Sequence, residues 1–435
     1  MNNSDVTHKR VLAISLPIIL SNITIPLLGF VDTAVIGQLG EVAPIGAVGI
    51  GAVMISAIYW IFGFLRMGTT GLTAQAVGKK DGKEVIALLS RALLIGLTSG
   101  LILFLMKDLI FLGAFKVSPA SKQVEDLAFG YMKIRIYSAP AAIAIFGILG
   151  WLIAQERTRM VLFLQIWMNG LNILLDLLFV IGFNWGVEGV ALATVIAELS
   201  SFVLGLYICR SAFVGATWRS VELVLDKAKF LTMASVNFDI LIRSLFLQAA
   251  FILFMFLSSD INDNILAVNQ ILLQFLSISS YALDGFAFSA EVLIGQAFGA
   301  KSLKGFRRVS LLATLWAFFA AALLSLCFYL GYEFIIALMT TSEELREISK
   351  KYAYWVIIAP VLATPAFVLD GIFIGATRTK DMRNCMIISL AIYLITVLVV
   401  YEPLGNHGLW AALMFMFLVR AITLFPRYQN IERSI

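Results

Sequence analysis

Carboxylates set inside long apolar stretches are the groups in this sequence that could do chemistry. In Pro17 to Gly37, PIILSNITIPLLGFVDTAVIG, Asp32 follows Pro26 by six residues and Gly29 by three. The stretch is long enough to cross a bilayer at roughly 20 residues per span. A charged side chain at the centre of such a helix costs about 2.5–3.5 kcal/mol on insertion scales. Pro26 lacks an N–H, so the carbonyl of Asn22 loses its helical partner. A free carbonyl and a carboxylate on one bent helix must face protein or a water-filled cavity. There they can hold a proton or a small cation. The structural alternative is a buried aspartate bonded to a neighbouring helix, with Pro26 as an ordinary kink. Ionisable residues inside membranes are functional by default, which favours the first.

Asn169, Asn172 and Asp176 repeat the theme at spacing i, i+3, i+7, which stacks them on one helix face. Most of their neighbours are Leu, Ile and Phe, so the stripe lines a cavity or glues helices, at about 0.6 kcal/mol per bond. Proton coupling needs a carboxyl group held where desolvation disfavours its charged form. Asp32 and Asp176 are the candidates in the first half. In the second half, Asp370 lies five residues after Pro365, with Gly371 and Gly375 alongside. Asp284 and Glu291, seven apart, share a face. These three are candidates for a C-terminal cavity or cation site, with Na⁺ an option at Asp32 or Asp370. Asp239 and Arg243, at i and i+4, read as an ion pair. Arg66 and Arg135 pair with such carboxylates or snorkel.

The elements that must position these groups are membrane helices. The 435 residues are 60% hydrophobic and 14% charged, with mean hydropathy +0.94. Apolar runs of span length recur from end to end, unlike the short alternating segments of a β-barrel. The net charge of +5 sits in short loops and is no nucleic-acid signature. His8 and His407 lie near opposite ends, and Cys209, Cys327 and Cys385 are scattered singly. No metal site, disulfide framework or cofactor site follows from them. The 33 Phe and 14 Met suit an amphipathic cargo. Most of them must face lipid or pack between helices, and none is singled out. There is no HExxH, GxSxG or P-loop, so nothing suggests an enzyme.

The expected fold is an all-α integral membrane protein with about twelve spans. They fall near residues 11–36, 45–76, 85–106, 127–154, 160–182, 187–209, 231–257, 265–298, 309–331, 348–376, 384–402 and 407–425. Basic residues favour the N-terminus and the even-numbered loops by about 20 to 7, placing both termini in the cytoplasm. Gln75 to Gly78, QAVG, returns as Gln296 to Gly299, QAFG. Ala139-Pro140 returns as Ala359-Pro360, Arg157-Thr158 as Arg378-Thr379, and Gly186-x-x-Gly189 as Gly405-x-x-Gly408. Offsets of 219 to 221 residues define one duplication. Six spans per half give two lobes in the same orientation, related by a pseudo-twofold axis along the membrane normal. The expected domains are an N-lobe (1–215), a cytoplasmic link (216–230) and a C-lobe (231–435).

Two six-span lobes, Pro26 and Asp32 in the first span, and AQAVG and GQAFG after spans two and eight resemble the MATE (multidrug and toxic compound extrusion) transporters. So does the run Gly371 to Arg378, GIFIGATR. Tyr281 to Phe286, YALDGF, and Asn237 to Ile240 with Arg243 are similar to the DinF-like branch. The resemblance implies efflux of small amphipathic, often cationic compounds, driven by inward H⁺ or Na⁺. It implies a coupling site of Asp32, Asn172, Asp176 and Thr194, with a fourth-span Asn of some members replaced near Leu149. It also implies a monomer in the bacterial cytoplasmic membrane, in contact with lipid and without nucleic acid. A flippase of lipid-linked sugars with the same two-lobe plan is the alternative. Its anionic cargo calls for several basic residues facing the cavity, whereas the mid-span charges here are mainly acidic.

Overall fold

A computed structural model describes residues 6–37, 42–115 and 121–435. Within them, the side chains of residues 25–30, 33, 42–43 and 114 are not described. The helix bend expected at Pro26 and Gly29 falls among these and so lies outside the described side chains.

The first half runs α1 (His8–Gly37), α2 (Val42–Ile61), α3 (Phe64–Gly78), α4 (Gly82–Leu105), α5 (Lys107–Phe115), α6 (Lys122–Arg135), α7 (Ala139–Ala154), α8 (Thr158–Asp176) and α9 (Gly186–Ile208). A short α10 (Val221–Val224) sits in the link. The second half runs α11 (Lys227–Ile261), α12 (Asp263–Gly299), α13 (Leu303–Met339), α14 (Glu343–Gly375), α15 (Thr379–Leu404) and α16 (Asn406–Arg433). Among the described residues, eleven segments are long and apolar enough to span a membrane. They fall one for one on spans two to twelve of the sequence, and α1 carries the first. Large apolar side chains point outward along them, as lipid requires: Leu398 is 80% exposed and Leu330 76%.

Several spans are jointed. The second breaks at Phe62 and Gly63, whose N–H groups bond back to Tyr59 and Trp60 carbonyls at 3.0 and 2.9 Å. The fourth passes through a 3₁₀ turn, Ile136–Ser138, and restarts at Ala139-Pro140. Proline fits a helix start because its missing N–H would be unpaired there anyway. The fifth ends in a π turn, Leu177–Gly182, immediately after Asp176. In the link, the exposed Asp226 carboxylate accepts the Lys229 N–H at 3.0 Å and caps α11. That bond holds the Asp226 carboxyl below the ordinary carboxylate range.

The chain forms two compact units. One contains residues 1–19, 74–80 and 235–435, the other 20–73 and 81–234. The first has a core around Phe254, Phe275, Tyr393 and Trp410. The second has a core around Ile36, Ile55, Phe111 and Met132.

The duplication is visible in the backbone. Lys80 and Lys301 both adopt positive φ (59° and 51°), as do Glu156 and Thr377 (60° and 53°). Each pair sits at the same 221-residue offset, just past a helix end. A left-handed residue there satisfies the last carbonyls of the helix. Close crossings recur as well. A Cβ on Gly150 of α7 would strike the Arg66 carbonyl of α3. In the other unit, a Cβ on Gly371 of α14 would strike the Ala287 carbonyl of α12. Within the first unit, the repeated QAxG segments also meet each other: Gly78 lies against the Gln296 backbone and Gly299 against the Gln75 backbone.

Candidate functional site

Three helices of the second unit build an acidic site. α1 contributes Asp32, α8 contributes Asn172 and Asp176, and α9 contributes Thr194; all four are buried. Asn172 stands at the centre. With its amide turned to satisfy both sides, it donates to Asp32 Oδ1 at 3.3 Å and Asp176 Oδ2 at 3.2 Å. Its oxygen then lies 3.1 Å from the Thr194 hydroxyl and 3.3 Å from the Thr194 N–H. Asn172 thus bridges the two carboxyl groups. Ionised carboxylates only accept, so a direct bond between the two would need a proton on one of them. Asp176 Oδ1 is buried and receives no hydrogen bond. It is a vacant acceptor for that proton or for a small cation. One turn along α8, Asn169 Nδ2 donates to Thr24 Oγ1 at 2.7 Å and ties α8 to α1.

The same unit holds a second buried pair. Arg135 of α6 grips Glu198 of α9 through two bonds, of 2.8 and 3.0 Å. Its backbone carbonyl accepts the Tyr59 hydroxyl at 3.1 Å. One signal was available: Glu198 follows Thr194 by four residues and so shares its helix face. Breaking a buried pair by removing one partner costs about 3–5 kcal/mol, because the other charge stays buried. Arg135→Ala should therefore lower the unfolding temperature in detergent far more than the double variant Arg135→Ala/Glu198→Gln. Equal losses in the two proteins would deny the pair that role.

The second-half candidates are arranged differently from expectation. Asp239 does not pair with Arg243, its i+4 neighbour. It accepts from Arg383 at 2.6 Å and from the Thr379 hydroxyl at 3.1 Å, both on α15. Arg243 instead bonds Asp370 of α14, and Arg420 of α16 bonds the same oxygen, Oδ2. A neighbouring helix offers better geometry than a side chain one turn along the same helix. With two guanidiniums on it, Asp370 is a poor ligand for Na⁺, and the cation option there is withdrawn. Asp284 is half-buried and Glu291 buried on α12. Among the described residues, no group of three or more His, Cys, Asp and Glu could hold a metal ion.

Comparison with known proteins follows the same outline. The family model described as MatE matches residues 17–178 and 240–401, one stretch in each repeat. The chain is 38% identical to DNA damage-inducible protein F of Escherichia coli (strain K12), over 96% of this chain and 91% of the relative. It is 26% identical to multidrug and toxin extrusion protein 1 of Homo sapiens, over 95% and 73%. Its fold matches an outward-facing multidrug resistance MATE family transporter with TM-score 0.90 at 17% identity, covering 98% and 96% of the two chains. The bent form of a Vibrio cholerae MATE transporter gives 0.86 at 20% identity, covering 98% and 97%.

Proposed function

Since this chain belongs to the MatE family of transporters, we propose that it exports small amphipathic organic compounds in exchange for protons, by alternating access. It is a multi-pass membrane protein and not an enzyme. In this proposal the membrane is the bacterial cytoplasmic membrane, and the basic loops put both termini on its cytoplasmic side.

The observation that carries the proton assignment is the Asp32–Asn172–Asp176 arrangement, with Asp176 Oδ1 lacking a donor. Two carboxyl groups and one amide can hold one proton more or one fewer with small movements. Loss of the shared proton leaves two carboxylates on either side of Asn172, and α1 and α8 respond to their repulsion. The π turn that begins after Asp176 gives α8 a place to yield, as such turns often do at functional sites. Protonation from outside relaxes the hold of Asp32, and α1 changes its bend at Pro26 and Gly29. Cargo leaves outward, and the proton is released on return to the inward-facing state. The acidic site suits a cationic cargo competing with the proton.

The test is transport by the purified protein in liposomes, with ΔpH and ΔNa⁺ imposed separately and a cationic dye as cargo. Efflux under ΔpH alone is expected. Efflux under ΔNa⁺ alone would assign the site to Na⁺. A dye that neither gradient moves would overturn the antiport reading.

A further inference from the structure

Arg243, Arg420 and Asp370 form a buried charged cluster in the first unit. Arg243 and Arg420 both bond Oδ2 of Asp370, so three groups sum to one positive charge. Asp239, on the same helix as Arg243, is committed to Arg383 and Thr379. Arg243 is 92% buried by residue, and its Nε has no partner. A buried guanidinium is costly, and within a membrane such charges mark substrate or ion pathways. The side chains are not sealed off: Arg243 keeps 10% of its surface accessible, Asp370 9% and Arg420 4%.

The fold itself does not require this cluster, as the other repeat shows. At the 221-residue offset that relates Gln75 to Gln296, the counterpart of Asp370 is Leu149 and that of Arg243 is Asn22. The counterparts of Arg420, at offsets of 219 to 221, are Leu199, Ser200 and Ser201. Conversely, Asn172 and Asp176 correspond to Tyr393 and Val397. One repeat has acquired an acidic site and the other a basic one, at different positions on a shared plan.

We propose that Arg243, Arg420 and Asp370 form a binding site for the oxyanion head of an amphipathic compound, a carboxylate, sulfonate or phosphate. Guanidinium forks recognise such groups through paired, charge-assisted bonds. The bonds to Asp370 use one terminal nitrogen of each arginine and leave further N–H groups to donate. Asp370 orients both forks and is the group an incoming anion would partly displace. This assignment rests on the transport reading above and widens its cargo from cations to organic anions.

The experiment compares three cargoes for the full chain in liposomes under ΔpH: a fluorescent naphthalene sulfonate, fluorescently labelled phosphatidic acid and a cationic dye. Arg243→Gln and Arg420→Gln should each raise the KM for the sulfonate at least about tenfold, the worth of one charge-assisted bond. Cationic dye efflux should stay within about twofold, a change too small for a lost bond of that kind. Asp370→Asn should tighten sulfonate binding to detergent-purified protein, because it removes the competing carboxylate. A merely structural triad would instead lose both cargoes and thermal stability in all three variants, and that result overturns the site. If the arginine variants cannot be recovered, Asp370→Asn decides alone: tighter binding supports the site, while unchanged or weaker binding overturns it. Movement of phosphatidic acid with the same sensitivity to the variants supports the site and assigns the head to lipid. A sulfonate that neither binds nor moves while the cationic dye is exported removes the site and leaves the antiport reading intact. A sulfonate bound in an arginine-dependent way, with no cargo driven by ΔpH, keeps the site and removes proton coupling.

Discussion

Asp32→Asn protein inserted in liposomes should still equilibrate a cationic dye down its gradient but lose at least about 100-fold in ΔpH-driven accumulation. That factor corresponds to roughly 2.7 kcal/mol of differential proton binding between the two states of the transporter. Asparagine keeps the shape of aspartate and can still bond an amide, so α1 and α8 stay joined through Asn172 and through the Asn169–Thr24 contact. The variant removes one of the two carboxyl groups that could share a proton. A ligand that binds both states equally shifts no equilibrium, and an amide that never titrates behaves as such a ligand. Asp176→Asn should give the same loss, because either substitution dissolves the pair. A variant of either residue that accumulates dye as well as wild type would remove the acidic site from the coupling step. Loss of downhill equilibration as well would show damage to the pathway rather than to coupling.

The second large effect concerns the reciprocal contact of the repeated QAxG segments. Valine at Gly78 or Gly299 should destabilise the protein by about 1–3 kcal/mol or more, since overpacking a tight site carries costs of that order. The atoms that a side chain would meet are backbone carbonyls, of Gln296 and Gln75 respectively, and these cannot rotate away. Gln75 is itself fixed by bonds from its amide to the Gly375 carbonyl and the Thr377 hydroxyl, both at 3.0 Å. Arg10 donates to the side-chain amide oxygen of Gln296 at 2.7 Å. The double valine variant should cost less than the sum of the singles, because one displacement relieves both collisions. Gly331→Ala in the same unit is the control. Nothing lies within 4 Å of its Cβ position, so it should be neutral or stabilising by up to about 1 kcal/mol. Thermal unfolding in one detergent reads all four. Additive singles, or a valine at Gly78 as harmless as the control, would contradict the reciprocal crossing.

Local periodicity made most of the fold legible. Each expected span falls on a helix because span length and apolarity are properties of a single segment. The Asn169, Asn172 and Asp176 stripe could be read for the same reason, being one helix's own face. Partnerships between helices were not legible. Arg135 and Glu198 are 63 residues apart, and Asp239 and Arg383 are 144 apart. Nothing in composition selects Arg383 for Asp239 over Arg243, which lies four residues away. The i, i+4 rule describes isolated helices, where the pair has no competitor. The break at Phe62–Gly63 was missed because an apolar run continues through it, and hydropathy is blind to a missing helical bond. The partners of Asp370 were not legible for a related reason. Arg243 and Arg420, which bond it, come from two other helices.

The excess charge on that cluster bears on what powers the protein. Exchange of one proton for one monovalent cation moves no net charge, so membrane voltage does no work on it. Export of an organic anion against an entering proton carries two positive charges inward, each worth about 2.3 kcal/mol per 100 mV. The same machine is then electrically silent with one cargo and a current source with the other. A potassium diffusion potential set with valinomycin should accelerate anion export and leave cation export unchanged. In a cell whose internal and external pH are equal, voltage alone would expel anions.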